Sequence, residues 1–329
     1  MVLEHTGPIA SGGLVSRRLP VPTPGPGEVL IEVEACAVCR TDLQLAEGDL
    51  LPTILPVVPG HQIVGVVRDV GPGRSTILEG DRVGVAWLAG SCGECRFCAT
   101  ERENLCEHGE FTGWHRNGGF AQMVVADHRF VHPLPVDADP VTLAPLLCGG
   151  AIGYRSLRVA GVDKGERVGL YGFGASASLA IQIARHWGCD VAVATRQPAG
   201  QERARALGAC WVGGYQDRPP FPLDRAITFA PSGDVVIAAL QALGRGGVVA
   251  INAIHLDRIP SFDYEHLWWE RSLRSVANVT RRDVRDVLGL ASEFPLRPAV
   301  RAYPLERVNE ALLDLRAGRV GATAVLTTS

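Results

Sequence analysis

The stretch VGLYGFGASA, residues 168–177, joins a short apolar run to a glycine-rich turn. Residues 168–171 predict a strand, and residues 175–187 predict the helix behind it. Between a strand and a helix, such a turn allows backbone N–H groups at the helix start to bind a pyrophosphate. The alternative, a glycine turn without a ligand, is disfavoured by this context. The candidate cofactor residues of the turn are Gly172, Gly174, Ala175, Ser176 and Ala177.

The segment after this turn continues to alternate strands with helices. Residues 191–194 predict a second strand, a helix ends near Leu207, and residues 226–229 and 247–252 predict later strands. This alternation is typical of an α/β fold with a doubly wound parallel sheet. A dinucleotide-binding domain of the Rossmann type is therefore expected.

The first third of the chain differs, because glycine and proline divide it into short β-rich pieces. Strands are predicted at residues 29–35, 63–70 and 121–125. Near the end, residues 305–316 and 322–327 predict one helix and one strand that could rejoin this first part. At 329 residues the chain exceeds what one hydrophobic core usually serves, so two domains are expected. Their predicted boundaries are 1–148 with 279–329, and 149–278.

Composition excludes several classes of protein. A net charge of −3, with both signs mixed along the chain, leaves no basic stripe for nucleic acid. Residues 1–11 lack the features of a signal peptide, and no apolar run approaches the ~20 residues that a bilayer requires. The sequence therefore predicts a cytoplasmic protein without a nucleic-acid or membrane partner.

Thr195 and Arg196, at the end of the predicted second strand, bear on the choice of cofactor. NAD binding normally uses an acidic residue about 20 positions beyond the glycines, which accepts hydrogen bonds from the ribose hydroxyls. A hydroxyl and a guanidinium stand here instead, and both can bind a 2′-phosphate that a carboxylate would repel. The pair favours NADP(H), with NAD(H) as the alternative.

Four of the nine cysteines have the spacing C-x2-C-x2-C-x7-C: Cys92, Cys95, Cys98 and Cys106. In a reducing cytosol such a cluster favours metal ligation over disulfides. Four thiolates around one tetrahedral ion make a closed, structural zinc site. An iron–sulfur cluster uses similar spacing, but a proline usually follows its last cysteine, whereas Glu107 follows here. Zinc is preferred, with an iron–sulfur cluster and unliganded thiols as alternatives.

A second set of metal ligands comes from three separated segments. Cys39-Arg40-Thr41-Asp42, Gly60-His61 and Cys148-Gly149 offer two sulfurs and one imidazole. A catalytic zinc takes three protein ligands and leaves one position open. Cys36 and Cys39 also form a C-x2-C pair that could be redox-active, but Cys36 is expected to be a packed core thiol.

Together these motifs resemble the zinc-containing, medium-chain alcohol dehydrogenases. The resemblance runs nearly from end to end, and the order of its elements makes it specific. Those elements are Gly27-Glu28, Cys39-Arg40-Thr41-Asp42, Gly60-His61, Gly80-Asp81-Arg82-Val83, the four-cysteine lobe (about residues 91–107), Gly118-Gly119-Phe120-Ala121, Cys148 and the glycine-rich turn. The resemblance implies that the β-rich part is a GroES-like catalytic domain.

The resemblance also implies roles for the residues of the second metal set. Cys39, His61 and Cys148 would hold a catalytic zinc. Thr41 would carry the hydroxyl that takes the substrate's proton, and Asp42 would orient the metal site from behind.

Two further roles follow from the resemblance. Arg40 would contact the cofactor pyrophosphate. Trp87 matches the aromatic wall of the substrate pocket in yeast-like and bacterial members, although a plain core tryptophan is the competing interpretation. Relatives are commonly dimers or tetramers, so a homodimer or homotetramer is expected.

Three positions depart from the family pattern. Gln62 stands where a glutamate commonly follows the ligand histidine, and Gln44 stands where some members have a proton-relay histidine. In the closing segment, Ala322 replaces a basic residue that contacts the pyrophosphate, and Arg319 is the one candidate to substitute for it.

The expected function is that of an NADP-linked alcohol dehydrogenase or aldehyde reductase acting on a primary alcohol or aldehyde, with one catalytic and one structural zinc. A metal-free quinone or enone reductase on the same scaffold is the enzymatic alternative, although such relatives typically lack both cysteine sets. A non-catalytic, cofactor-binding redox sensor is the alternative from another class.

Overall fold

The computed structural model describes residues 1–253 and 256–328, which separate into two compact units. The first unit comprises Met1–Cys148, Val279–Glu293 and Arg297–Ser329. The second comprises Gly149–Asn278 and Phe294–Leu296. No helix in the described ranges has the length and apolar character needed to cross a membrane.

Both units contain strands and helices. The strands are β1 Glu28–Ala37, β2 Gln62–Val70, β3 Arg82–Val85, β4 Leu88–Gly90, β5 Glu110–Phe111, β6 Met123–Asp127, β7 Val131–Pro133, β8 Arg167–Tyr171, β9 Asp190–Ala194, β10 Trp211–Gly213, β11 Leu223–Thr228, β12 Leu243–Ile251, β13 Ser272–Ser275, β14 Val300–Pro304 and β15 Thr323–Thr327. The α-helices are α1 Arg40–Glu47, α2 Pro140–Leu143, α3 Gly149–Ala160, α4 Ala175–His186, α5 Pro198–Ala206, α6 Gly233–Gln241, α7 Arg281–Glu293 and α8 Val308–Arg316. Short 3-10 helices lie at Cys98–Thr100, Glu103–Leu105, His128–Phe130, Ala144–Leu147, Tyr264–His266 and Leu305–Arg307.

The second unit is built on a parallel sheet with the strand order β10-β9-β8-β11-β12-β13. Counted within this unit, the order is 3-2-1-4-5-6, which is the Rossmann order. Its inner strands β8, β9, β11 and β12 are mostly apolar and buried, as expected when helices cover both faces of a parallel sheet. The order reverses between β8 and β11, and ligands bind at the carboxyl ends of the strands at such a point. The predicted α/β class is confirmed.

The first unit is built on a mostly antiparallel sheet. Its order is β14-β15-β1-β2-β3-β7, and β6 also pairs with β1. Strand β1 is the centre of this sheet, because β2, β6 and β15 all pair with it. The end of the chain thus returns to the first unit through β15.

Two predicted elements in this unit are displaced. The strand predicted at residues 121–125 lies at Met123–Asp127, because regular pairing with β1 begins only at Met123, whereas residues 118–120 bond to residues 58–60. The helix predicted at residues 305–316 starts as the 3-10 turn Leu305–Arg307 and becomes α-helical at Val308.

His132, in β7, should make the stability of the protein depend on pH. Its side chain is buried, and burial together with the charges of Arg285 and Arg281 lowers its pKa to about 4. The unfolded value is about 6.5, so the unfolded chain binds this proton first and the folded state loses stability as the pH falls from about 6.5 towards 4. Between pH 7 and pH 5 this loss is expected to be about 2 kcal/mol.

Urea unfolding at pH 7 and pH 5 measures this effect against a His132→Leu variant. The wild-type protein should lose about 2 kcal/mol more unfolding free energy than the variant over this range. Equal losses in the two proteins would show that His132 is not the group responsible.

Candidate active site and metal centres

The start of helix α1 contains residues predicted to bind the metal, the substrate proton and the cofactor. Cys39 is its N-cap, and the Cys39 Sγ accepts a hydrogen bond from the Thr41 backbone N at 3.3 Å. In return, the backbone N of Cys39 donates to Asp42 Oδ2 at 2.8 Å. These reciprocal bonds form a capping box. The interactions that start the helix therefore also orient the Cys39 sulfur, with Arg40 exposed and Thr41 half-buried beside it.

The buried carboxylate of Asp42 also reaches the segment that carries His61. Asp42 Oδ1 accepts a hydrogen bond from the Gly60 backbone N at 3.2 Å and lies 3.3 Å from His61 Nδ1. His61 is 1% exposed. One side chain thus fixes two of the three candidate ligands relative to each other.

The Gly118-Gly119-Phe120 segment supports His61 from behind, a role that sequence reasoning did not predict. Gly119 N donates to Gly60 O at 2.9 Å, and Phe120 N donates to Pro59 O at 2.9 Å. A Cβ at Gly118 would overlap the Gly60 carbonyl oxygen. Only glycine allows the two backbones to come this close, and Phe120 fills the space beside Gly60.

Cys148 follows the 3-10 helix Ala144–Leu147 and completes the set with Cys39 and His61. The three ligand atoms lie within 4.8 Å of one another. The thiol of Cys148 donates a hydrogen bond that holds the pKa of Cys39 well below its usual range, although burial opposes this. The same contact, with burial, raises the pKa of Cys148 well above its usual range.

The electrostatics of this set suit a bound dication. Burial lowers the pKa of His61, but the charges of Asp42 and Cys39 outweigh it and raise that pKa to about 10. Burial also raises the pKa of Asp42. A metal dication bound by these side chains would displace their protons and supply the positive charge that His61 otherwise carries beside Asp42 and Cys39. Two sulfurs and one imidazole fit zinc with one open position.

The four cysteines of the lobe converge on one point. Their sulfur atoms lie 3.5 Å apart for Cys92 and Cys106, 3.6 Å for Cys95 and Cys98, and 3.8 Å for Cys92 and Cys98. Ligands on a tetrahedral zinc with Zn–S bonds of ~2.3 Å are separated by about 3.8 Å. Backbone N–H groups of Glu94 and Cys95 lower the pKa of the Cys92 thiol to about 6. The site fits one closed zinc and has no room for a cluster of several irons.

Glu103 attaches this lobe to helix α7. Its carboxylate is 2% exposed, and Oε1 accepts hydrogen bonds from the Arg281 backbone N at 3.0 Å and from Arg281 Nε at 3.1 Å. A buried carboxylate oxygen that accepts hydrogen bonds from both a backbone N–H and a guanidinium at a helix start anchors the lobe to α7. Sequence reasoning missed it, because neither residue belongs to a recognisable motif.

Trp87 lies directly against a candidate metal ligand. The ring centroids of Trp87 and His61 are 4.7 Å apart with an edge-on geometry. Trp87 also stacks on Phe111 at 5.2 Å and on Trp114 at 5.9 Å. All three stacked rings are half-buried. They form an apolar wall beside His61, in which Phe111 and Trp114 were not predicted.

The glycine-rich turn lies between β8 and α4, at the reversal of strand order. Gly172 has φ +94°, and a Cβ there would lie 2.9 Å from the Ala230 backbone N. Gly174 is the N-cap of α4 without a side-chain hydrogen bond, and a Cβ there would meet open space. The first N–H groups of α4, from Ala175 to Ala177, are therefore available to a pyrophosphate.

Thr195 and Arg196 follow β9 at the same edge of the sheet. Thr195 is buried, and its backbone N donates to Gly213 O at 2.8 Å. Arg196 is exposed, and in residues 1–253 and 256–328 no carboxylate pairs with it. Its guanidinium carbon lies 5.6 Å from the centroid of the Tyr215 ring.

Gln62, which departs from the family pattern, and Arg319, the candidate substitute for the basic residue replaced by Ala322, are both engaged in local bonds. Gln62 is buried, and its Nε2 donates to Ala37 O at 3.2 Å, so it ties the start of β2 to the end of β1. Arg319 forms an ion pair with Asp314 at 2.8 Å. Its guanidinium is therefore committed to a carboxylate of α8.

Comparisons with known proteins agree with this geometry. The family model of the alcohol dehydrogenase GroES-like domain matches residues 25–136. The chain is 45% identical to a probable alcohol dehydrogenase, AdhA, of Mycobacterium tuberculosis, over 98% of this chain and 95% of that one. An alcohol dehydrogenase of Geobacillus stearothermophilus is 34% identical over 91% of each chain.

Solved structures give the same result. A thermostable alcohol dehydrogenase from Pyrobaculum aerophilum with bound cobalt and zinc matches with a TM-score of 0.88 and 26% identity, covering 99% of this chain and 98% of that one. The Helicobacter pylori protein named CAD, complexed with NADP(H), matches with a TM-score of 0.85 and 25% identity, covering 93% and 91%. With sequence identity over nearly its whole length, the predicted resemblance is confirmed: the chain belongs to the zinc-containing, medium-chain alcohol dehydrogenase family.

Proposed function

We propose that this protein is a zinc-dependent alcohol dehydrogenase or aldehyde reductase that transfers a hydride between NADP(H) and a primary alcohol or its aldehyde. The observation that carries the proposal is the donor set of Cys39, His61 and Cys148, which leaves one coordination position open beside Thr41. The relatives are alcohol dehydrogenases by name, and a metal-free reductase would have no use for this set.

Each bound group would supply one part of the chemistry: zinc polarises the substrate oxygen, and the nicotinamide exchanges a hydride with the substrate carbon. The hydroxyl of Thr41, in the first turn of α1 two residues from Cys39, takes the proton of the alcohol. The amide of Gln44 has no group that takes up a proton at neutral pH, so release of the proton from Thr41 would need water or a hydroxyl of the bound cofactor. Asp42 keeps Cys39 and His61 in place throughout.

The substrate is inferred from the wall that Trp87 forms with Phe111 and Trp114. Stacked rings beside a metal ligand favour flat or unbranched apolar groups on the substrate carbon, because a branched group needs more width. We infer that primary alcohols with aromatic or unbranched chains, and the corresponding aldehydes, are the preferred substrates.

Location and assembly complete the proposal. Two sites that depend on free thiolates need a reducing compartment, so the cytoplasm is the proposed location. A homodimer or homotetramer remains the prediction for the assembled enzyme.

The roles of the two proposed metal sites can be tested independently with one variant at each site. Wild-type protein is expected to carry two zinc ions per chain, and Cys148→Ser and Cys106→Ser should each leave one. Cys148→Ser should lower alcohol oxidation by about 1000-fold or more while the fold persists. Cys106→Ser should lower Tm by roughly 5 °C, because a closed zinc site stabilises the lobe.

Mass spectrometric metal analysis, thermal unfolding and an alcohol assay measure these effects. One zinc in the wild type, with activity unchanged in Cys148→Ser, would contradict the proposal.

Thr41→Val removes the proposed proton acceptor but keeps the shape of the side chain. The expected result is a fall in kcat of about 10²- to 10⁴-fold, because proton transfer from a positioned group contributes that much. Thr41→Ser restores a hydroxyl and should retain most of the activity. If Thr41→Val stays within a few-fold of wild type, another group accepts the proton.

Arg196→Asp tests the cofactor preference. Replacing the guanidinium by a carboxylate should lower kcat/KM for NADPH by roughly 10- to 100-fold, because one charge-assisted hydrogen bond is lost and a repulsion is added. The value for NADH should fall far less or rise. Arg205→Asp, on exposed α5, is the control for the change in net charge. An equal loss with both cofactors would count against NADP(H) as the preferred cofactor.

A further inference from the structure

We propose that Tyr215 is a positioning residue for NADP(H), because its ring holds the guanidinium of Arg196 where a ribose 2′-phosphate binds. This inference rests on the proposed preference for NADP(H). Tyr215 belongs to no cofactor motif in the sequence, and only the fold brings it beside Arg196.

The sheet brings the two residues to the same edge. Strands β9 and β10 pair in parallel, with Ala194 opposite Gly213. The pairing continues for one more residue, because Thr195 N donates to Gly213 O at 2.8 Å. Arg196 and Tyr215 therefore leave neighbouring strands at their carboxyl ends, the edge at which ligands bind in this fold.

The backbone around Tyr215 is held by its own turn. Gly214 N donates to Asp217 Oδ2 at 2.7 Å, and Asp217 N donates to Gly214 O at 3.3 Å. The Asp217 carboxylate, the acidic group of this turn, therefore accepts a hydrogen bond from the backbone of the turn itself. Tyr215 itself is half-buried and packs against the apolar cluster that contains Tyr171 and Ala194. The ring is therefore a fixed surface rather than a mobile one.

Arg196 depends on such a surface, because the described part of the chain offers it no carboxylate. Other arginines of the same unit are paired, for example Arg225 with Glu166 at 3.0 Å. Arg196 instead lies over the face of the Tyr215 ring, 5.6 Å from its centroid. This cation–π contact restricts the long side chain and leaves its N–H donors available to a phosphate.

The contact should contribute to binding of the 2′-phosphate only. A restricted guanidinium loses less side-chain entropy when it binds an anion, which lowers the cost of association. NAD(H) lacks the 2′-phosphate, so its affinity should not depend on the ring. Selectivity, rather than overall affinity, is the property that Tyr215 controls.

The test uses the full-length, zinc-loaded protein and two adenine nucleotides. Calorimetry measures binding of adenosine 2′,5′-bisphosphate and of adenosine 5′-monophosphate, and steady-state kinetics measures KM for NADPH and NADH. Tyr215→Leu should weaken the bisphosphate and raise KM for NADPH by roughly two- to fivefold, with 5′-monophosphate, NADH and kcat unchanged. Tyr215→Phe keeps the ring face and should behave as wild type. Tyr154→Leu, which removes a comparable arginine–tyrosine contact with Arg158 on α3, should leave the selectivity unchanged.

The possible outcomes distinguish a failure of the role proposed for Tyr215 from a failure of the proposed function. If Tyr215→Leu weakens both nucleotides equally, or neither, while Arg196→Asp still abolishes the preference for NADPH, the role of Tyr215 is overturned and the proposed cofactor stands. If wild-type protein does not bind the bisphosphate more tightly than the 5′-monophosphate, both fail. A protein without turnover on alcohols that still shows the selective loss would uphold Tyr215 and overturn the proposed reaction.

Discussion

The carboxylate of Asp42 is the constraint on which the geometry of the active site depends. It accepts hydrogen bonds from the backbone N of Cys39 and of Gly60, and it lies 3.3 Å from the His61 ring. The helix start and the strand start that carry two candidate metal ligands are thereby held together by one buried group. A buried charge of this kind is costly unless every oxygen is used, so the capping box and the metal site support each other.

Glycine determines how closely the remaining parts can approach. Gly118 and Gly119 let a second backbone lie against Pro59–Gly60, and Gly172 lets the end of β8 lie against Ala230. At Gly118 and Gly172 a side chain would overlap backbone atoms, which cannot move aside without breaking hydrogen bonds, and at Gly119 it would overlap the side chain of Ile63. Close backbone contact that only glycine allows thus shapes both the segment of the candidate ligand His61 in the first unit and the candidate nucleotide turn in the second.

The sequence predicted the parts of the site whose chemistry depends on spacing. The cysteine sets and the glycine turn could be found because metal ligation and phosphate binding require particular residues at particular intervals. Phe111, Trp114 and Tyr215 could not, because an aromatic residue has no such interval and its partner is set by strand pairing. The strand near Met123 was placed two residues early, because a run of suitable residues does not show where pairing with β1 starts: the regular pairing begins only at Met123.

The attachment of the four-cysteine lobe through Glu103 and Arg281 bears on how the polypeptide reaches its native state. The two residues are 178 positions apart, so a very long loop must close before their contact forms. On the ribosome, the lobe emerges well before α7 is synthesised. The proposed zinc can therefore bind the four cysteines of the nascent chain locally, while docking of the lobe waits until α7 has been synthesised.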